Sequence, residues 1–267
     1  MQMLKCLRVT GVLVVSFIAT ATGQELHITP DRVLLTGKFQ QAQLLVNQKD
    51  SSNTSAIGLD DLTAAANYTV LDPNVARVDT QGRITALLDG VTKVTIAYQN
   101  LVQEIFVEVQ GEKTTQIEFT QDILPILNKA GCAAGACHAS QFGKGGFKLS
   151  IFGFDPQADF RAIARASRGR RLNFGSPKFS LLMAKPAMLV PHGGGRRLDP
   201  DTIGYEILRE WISNGATTPA EKPVKAISLH VTPGQRATKL DETQQLRAVV
   251  KYSDASFRDV TSFARYD

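Results

Sequence analysis

The pentapeptide Leu26-His-Ile-Thr-Pro30 returns, with one conservative change, as Leu229-His-Val-Thr-Pro233. A chain that opens two segments with the same strand-like phrase is built from copies of one unit. Gln40-Gln41 is echoed by Gln244-Gln245, and Tyr252–Thr261 continues the second copy. The first copy, from Glu25 to Gln110, reads as short strands. These are Leu26–Ile28, Val33–Leu35, the alternating Ala42–Val46, Tyr68–Val70, Val75–Val78, Ile84–Ala86, Val94–Ile96 and Ile105–Val109. A polar stretch at Asn47–Asn53 and turns at Thr80–Gly82 and Asp89-Gly90 punctuate them. Regular short strands without helical period predict a β-sandwich. The second copy has only residues 224–267. Half a sandwich cannot bury its inner face, so the expectation is a piece of a longer protein.

The run Asn74–Ile96, with Gly82, Gly90 and Val94-Thr-Ile96 at its turns and strand, resembles the bacterial immunoglobulin-like group 2 domain. Of the 267 residues, 43% are hydrophobic and 21% charged, which excludes wholesale disorder as well as collagen-like and heptad architectures. Three cysteines are too few for a disulfide-stapled scaffold. Lys5 and Arg8 precede an apolar run at Val9–Ile18, and Ala19–Gly23 supplies small residues, the pattern of a signal peptide over residues 1–23. The run is short for a bilayer span, although a retained anchor is the plain alternative. Cleavage near Gly23 removes Cys6 with two cations, so the formal +5 falls to +3. The mature chain is then expected to be exported, periplasmic or at the cell surface, with no transmembrane segment.

Residues 117–220 differ in character. Thr120–Ala130 reads as a helix capped by Thr120, with Pro125 late for a first turn. Asp199–Asn214 is the clearest helix: Asp199 as cap, Pro200 in the first turn, Gly215 at the end. Its apolar face is Ile203, Ile207, Leu208, Trp211 and Ile212. Phe160–Ser167 reads as a short third helix.

The chemistry sits in Cys132-Ala-Ala-Gly-Ala-Cys137-His138. In the usual c-type haem attachment site two thiols flank two residues and the histidine follows directly. Here four residues separate the thiols, all small, and Gly135 could close the wider loop at positive φ. A Cys132–Cys137 disulfide is a competing reading for an exported chain. So is a zinc site, for which His192 is the only nearby fourth ligand.

Several stretches together resemble the planctomycete-type cytochrome c domain. They are Phe119–Leu127 leading to Gly131–His138, Gly145–Ser150, Gly153–Phe160, Ser180–Leu182, Val190–Gly195 and Trp211–Ala216. The resemblance implies one haem c (iron) per chain, with Cys132 and Cys137 as thioether residues and His138 as proximal ligand. Haem would lie between the N-terminal helix, the Cys132–His138 loop and the Trp211 helix. Where related cytochromes carry a Met-Pro-Pro segment, this chain has Val190-Pro191-His192. His192 is the preferred distal ligand, Met188 the second, and an open or water-bound position the third. Met183 and Met188 as ordinary core residues are the alternative. The expected architecture is multi-domain: an all-β Ig-like sandwich (25–110), a small mainly-α cytochrome c-like domain (117–220) and the truncated start of a second Ig-like domain (224–267). The expected activity is one-electron transfer with an unknown redox partner. The β domains would be spacers or adhesion modules toward a surface polysaccharide or protein. The rival expectation is a cell-surface structural protein whose cytochrome-like domain holds no haem.

Other candidates carry less. Arg161, Arg165, Arg168, Arg170 and Arg171 could pair with haem propionates or an acidic partner, but read first as a solvated basic face. No aromatic residue interleaves them, which argues against nucleic acid. Gly143-Lys-Gly-Gly146 lacks the phosphate-loop spacing and reads as a turn. His27 and His230 hold equivalent places in the two copies and read as structural, and no hydrolase constellation stands out.

Overall fold

The computed structural model describes residues 24–50, 60–111, 113, 116–237 and 240–266; the signal segment expected at 1–23 lies outside them. The chain is mostly β-sheet with a few short helices. Its first part comprises β1 (Gln24–Thr29), β2 (Arg32–Thr36), β3 (Gln41–Gln43), β4 (Leu45–Asp50), β5 (Asn67–Val70), β6 (Ala76–Val78), β7 (Arg83–Ala86), β8 (Gly90–Tyr98) and β9 (Leu101–Gln110). A four-stranded sheet, β2-β9-β8-β5, faces a three-stranded sheet, β3-β7-β6, and β1 pairs with β4. Their inward residues form one core that includes Ile28, Val33, Val46, Ile84, Ile96 and Val107. Period-two alternation places them there: in β2, Val33 and Leu35 are buried while Leu34 between them is exposed.

The run 42–46, expected as one strand, is two. At Leu44 the chain leaves β7, partner of β3, and joins β1, partner of β4. The Leu44 amide donates instead to the Gly82 carbonyl at 2.9 Å. The neighbouring Gln41 and Gln43 are buried, and their amide groups donate to Thr85 Oγ1 and to the carbonyls of Leu44 and Gln81. The amide nitrogens of both side chains are thereby satisfied inside the sandwich, while Gln43 Oε1 is buried without a partner.

The middle region holds a π-turn at Phe119–Ile123 and helices α1 (Leu124–Lys129), α2 (Pro156–Ala164), α3 (Leu181–Ala184) and α4 (Ile203–Ser213). Its core centres on Trp211 of α4, whose ring lies 5.6 Å from Phe119 and 6.4 Å from Phe160, centroid to centroid. The start of each of the three expected helices differs from the sequence reading. Glu118, not Thr120, caps the first turn by accepting from Gln121 N at 2.8 Å; the Thr120 hydroxyl has no partner. Asp155 caps α2 through Ala158 N, so the helix starts at Pro156, four residues ahead of Phe160. Asp199 spends its carboxylate on Asp201 N and its carbonyl on Thr202, making a turn that delays α4 to Ile203.

The last segment is a three-stranded sheet: β10 (Ala226–Thr232), β11 (Arg247–Tyr252) and β12 (Phe257–Asp259). Leu229 of β10 is 59% exposed and Val231 half-buried, whereas Leu26 and Ile28 at the equivalent places of β1 are 7% and 6% exposed. The segment packs between the other two parts. Arg258 donates to Gln40 Oε1 of the sandwich and to Gln121 and Asp122 of the helical region. No helix among the described residues is long and apolar enough to cross a membrane.

Candidate functional site

A cavity of about 350 Å³ opens in the helical region, with Cys132, Cys137, His138 and His192 on its wall. Leu127, Phe147, Leu149, Leu181 and Leu182 make its apolar surface. Local chain geometry delivers each group. Residues 131–139 wind into successive turns: Cys132 N donates to Leu127 O, Cys137 N to Ala134 O, and His138 N back to Cys132 O at 3.1 Å. The four-residue spacer thus folds as a closed loop. Gly131, at φ 76°, supplies the left-handed step; Gly135, expected in that role, does not have positive φ.

Cys132 and Cys137 are free, half-buried thiols, with no disulfide between them. Burial, with the nearby Cys137 second, pushes the Cys132 thiol up to about 11. Burial likewise lowers His138 below its ordinary value, so its ring is neutral at pH 7. Its Nδ1 lies 3.0 Å from the Phe147 carbonyl, and His192 Nδ1 lies 2.8 Å from the Gly195 carbonyl. A carbonyl only accepts, so Nδ1 carries a hydrogen in both rings, and in neutral His138 Nε2 keeps the lone pair. The two imidazoles lie within 15° of parallel, with centroids 6.4 Å apart.

His192 is held on a closed loop rather than a loose one. The Arg197 and Leu198 amides both donate to Pro186 O, and Arg197 Nε donates to Gly194 O. A Cβ on Gly194 would fall 2.9 Å from Cε1 of His192, so only glycine leaves the ring its place. Met188, 44% exposed and at φ 61°, is not among the cavity-lining residues, and Met183 is fully buried in the core. The Trp211 helix stands behind the site as core. The wall expected from it is formed by α3 and the 185–197 loop.

No family model and no curated protein matches the sequence. Among solved structures, the chain is similar to domains 4 and 5 of the S-layer protein SbsC. The TM-score is 0.26 at 20% identity, over 32% of this chain and 51% of that one. A longer SbsC structure, rSbsC(31-844), gives TM-score 0.25 at 20% identity over 32% of this chain and 12% of its own length. The chain thus spans about half of the first and a small part of the second, and likeness at this level carries no argument.

Two features of the site had no clear sequence signal. Phe147 holds His138 twice, by its carbonyl and by its ring, whose centroid is 4.6 Å from the imidazole's. Its only mark is its place after the Gly143–Gly146 turn. The arginine run also divides: Arg161, Arg165, Arg168 and Arg170 are exposed, as a solvated face requires, but Arg171 is buried and lines the cavity. Among the described residues, no three His, Cys, Asp or Glu side chains converge as a metal-ion site.

Proposed function

We propose that residues 117–220 form a cytochrome c-like module that holds one haem covalently and transfers single electrons. The observation that carries this is the imidazole pair. His138 and His192 line one cavity with Cys132 and Cys137, their rings 6.4 Å apart and within 15° of parallel, and they would be the residues to hold the iron. Two imidazoles are too few ligands for a bare ion. They suit a metal that brings its own equatorial donors.

Cys132 and Cys137 would carry the haem as thioethers, each S–H adding across one vinyl C=C with no leaving group. His138 would be the proximal ligand and His192 the distal one, each offering Nε2 with Nδ1–H fixed on a carbonyl; such fixing orients the ring and raises its basicity. Bound there, haem would supply a one-electron Fe(II)/Fe(III) couple. Two imidazoles set a lower potential than a Met/His pair. Leu127, Leu149, Leu181 and Leu182 would give the porphyrin apolar contact. The Ig-like segments, packed against this module, would set its position in an exported, multi-domain protein.

The test is expression with periplasmic haem-attachment machinery, then the visible spectrum of denatured, washed protein. A Soret band that survives denaturation and disappears in Cys132→Ala/Cys137→Ala supports the proposal. Colourless protein, or haem that washes away, overturns it in favour of a structural domain without haem.

A further inference from the structure

Arg171 is a buried cation with no anion. It is 6% exposed, yet no carboxylate pairs with it among the described residues. Nη1 donates to the Ala162 and Ala166 carbonyls at 3.0 and 3.2 Å, and Nη2 to Gly146 O at 3.3 Å. The guanidinium carbon sits 4.6 Å from the centre of the Phe147 ring. All of these partners are neutral. A guanidinium has five N–H donors, so Nε and one hydrogen of Nη2 are left without a protein acceptor. Burying a charge is costly unless it is paired, and natural structures rarely leave one so.

The surroundings repeat the signal. Lys144, Arg170, Lys185 and Arg197 line the same cavity as Arg171, and no Asp or Glu does. The four others are exposed, so water compensates them. Lys185 and Arg197 also spend donors on the carbonyls of Pro191 and Gly194. Arg171 alone is buried and held by backbone carbonyls, with donors to spare. A cavity with an apolar floor, two imidazoles and a cationic wall fits a flat apolar ligand that carries carboxylates at its edge.

We infer that Arg171 is the carboxylate-binding residue of this cavity, taking a propionate of the haem through its free N–H donors. This rests on the haem reading. Charge-assisted bonds to carboxylate are about twice as strong as neutral ones, and low dielectric strengthens them further. The same guanidinium backs Phe147, which holds His138, so propionate and proximal histidine share one support.

Reversible binding tests the inference. The full chain carrying Cys132→Ala/Cys137→Ala is titrated with iron protoporphyrin IX and with its dimethyl ester, each from the same dilute cosolvent, following the Soret band. The diacid should bind at least ten-fold more tightly than the diester. Arg171→Gln should remove most of that ratio by weakening the diacid alone, and Arg171→Lys should keep part of it. Equal affinity for diacid and diester in the chain with Arg171 intact overturns the Arg171 assignment and leaves the haem reading standing. So does a ratio unchanged in a folded Arg171→Gln variant. Failure of both porphyrins to bind overturns the haem reading and the assignment together. Because the diester comparison needs no change at Arg171, equal affinities overturn the assignment even where Arg171→Gln does not fold.

Discussion

Asp61 and Asp259 each accept a hydrogen bond from a backbone amide of the other's repeat. Asp61 Oδ2 takes Gln245 N, and Asp259 Oδ2 takes Gln43 N at 3.0 Å. The local frames match as well: Thr63 and Thr261, each two residues on, donate Oγ1 to the near carboxylate oxygen at 2.6 Å. Each hydroxyl then accepts from a strand amide, Val46 N or Ala248 N. The repeat visible in Leu26–Pro30 and Leu229–Pro233 is thus a structural one, and its copies meet in a reciprocal, pseudo-two-fold contact.

Removing either carboxylate strands an amide at this junction. Asp259→Ala should cost about 1–3 kcal/mol, since Asp259 also holds Arg247 Nε and Thr261. Asp61→Ala should cost less. In the double variant the loss should be smaller than the sum, because both serve one interface. Denaturant unfolding of the four chains measures all three expectations.

Gly143→Ala should be strongly destabilising. A Cβ there would fall 2.2 Å from the Phe147 carbonyl oxygen, at a residue with φ 67°. The loss should exceed about 1 kcal/mol, because alanine at positive φ is strained even without a clash. That oxygen anchors His138 Nδ1, so the variant should also weaken haem retention.

Gly194→Ala should act on the site with little effect on the fold. The added methyl group meets the His192 ring, not backbone. Thermal unfolding should shift by only a few degrees, while the loaded protein should take on the spectrum of a His192→Ala variant. A large drop in Tm with unaltered spectrum would contradict this role for Gly194.

Ionisation of Cys132 predicts an alkaline limit for the apo-protein. The folded thiol titrates near 11, above its ordinary value of 9.0. The unfolded chain therefore loses its proton first, and stability contributed by the buried neutral thiol is present below pH 9 and lost between about pH 9 and 11. Cys132→Ser should flatten that part of the stability curve. In parallel, alkylation of Cys132 by iodoacetamide should be slow at pH 8.5 and rise steeply toward pH 11.

Strands were legible because alternation and turn residues are local: Val33, Leu35, Ile84 and Ile96 point inward as their spacing dictates. Helix starts were not, because several acids and hydroxyls compete for nearby amides: Glu118 rather than Thr120 reaches Gln121 N, and Asp199 closes a turn on Asp201 N and Thr202 instead of capping α4. The Cys132–His138 motif and His192 stand out in sequence by residue type. The part played by Phe147 does not, since it rests on a carbonyl, which every residue has. Nor can five arginines within residues 161–171 reveal that Arg171 alone is buried; that depends on the carbonyls of Ala162, Ala166 and Gly146 converging on it.

The pairing of His138 with His192 across one metal is tested most directly by electron paramagnetic resonance and near-infrared spectra of the ferric, haem-loaded chain. The expected result is a low-spin, bis-imidazole signature that is lost in His192→Ala and unchanged in Met188→Ala. A methionine-type charge-transfer band lost in Met188→Ala, or a high-spin signal indifferent to His192→Ala, would contradict it.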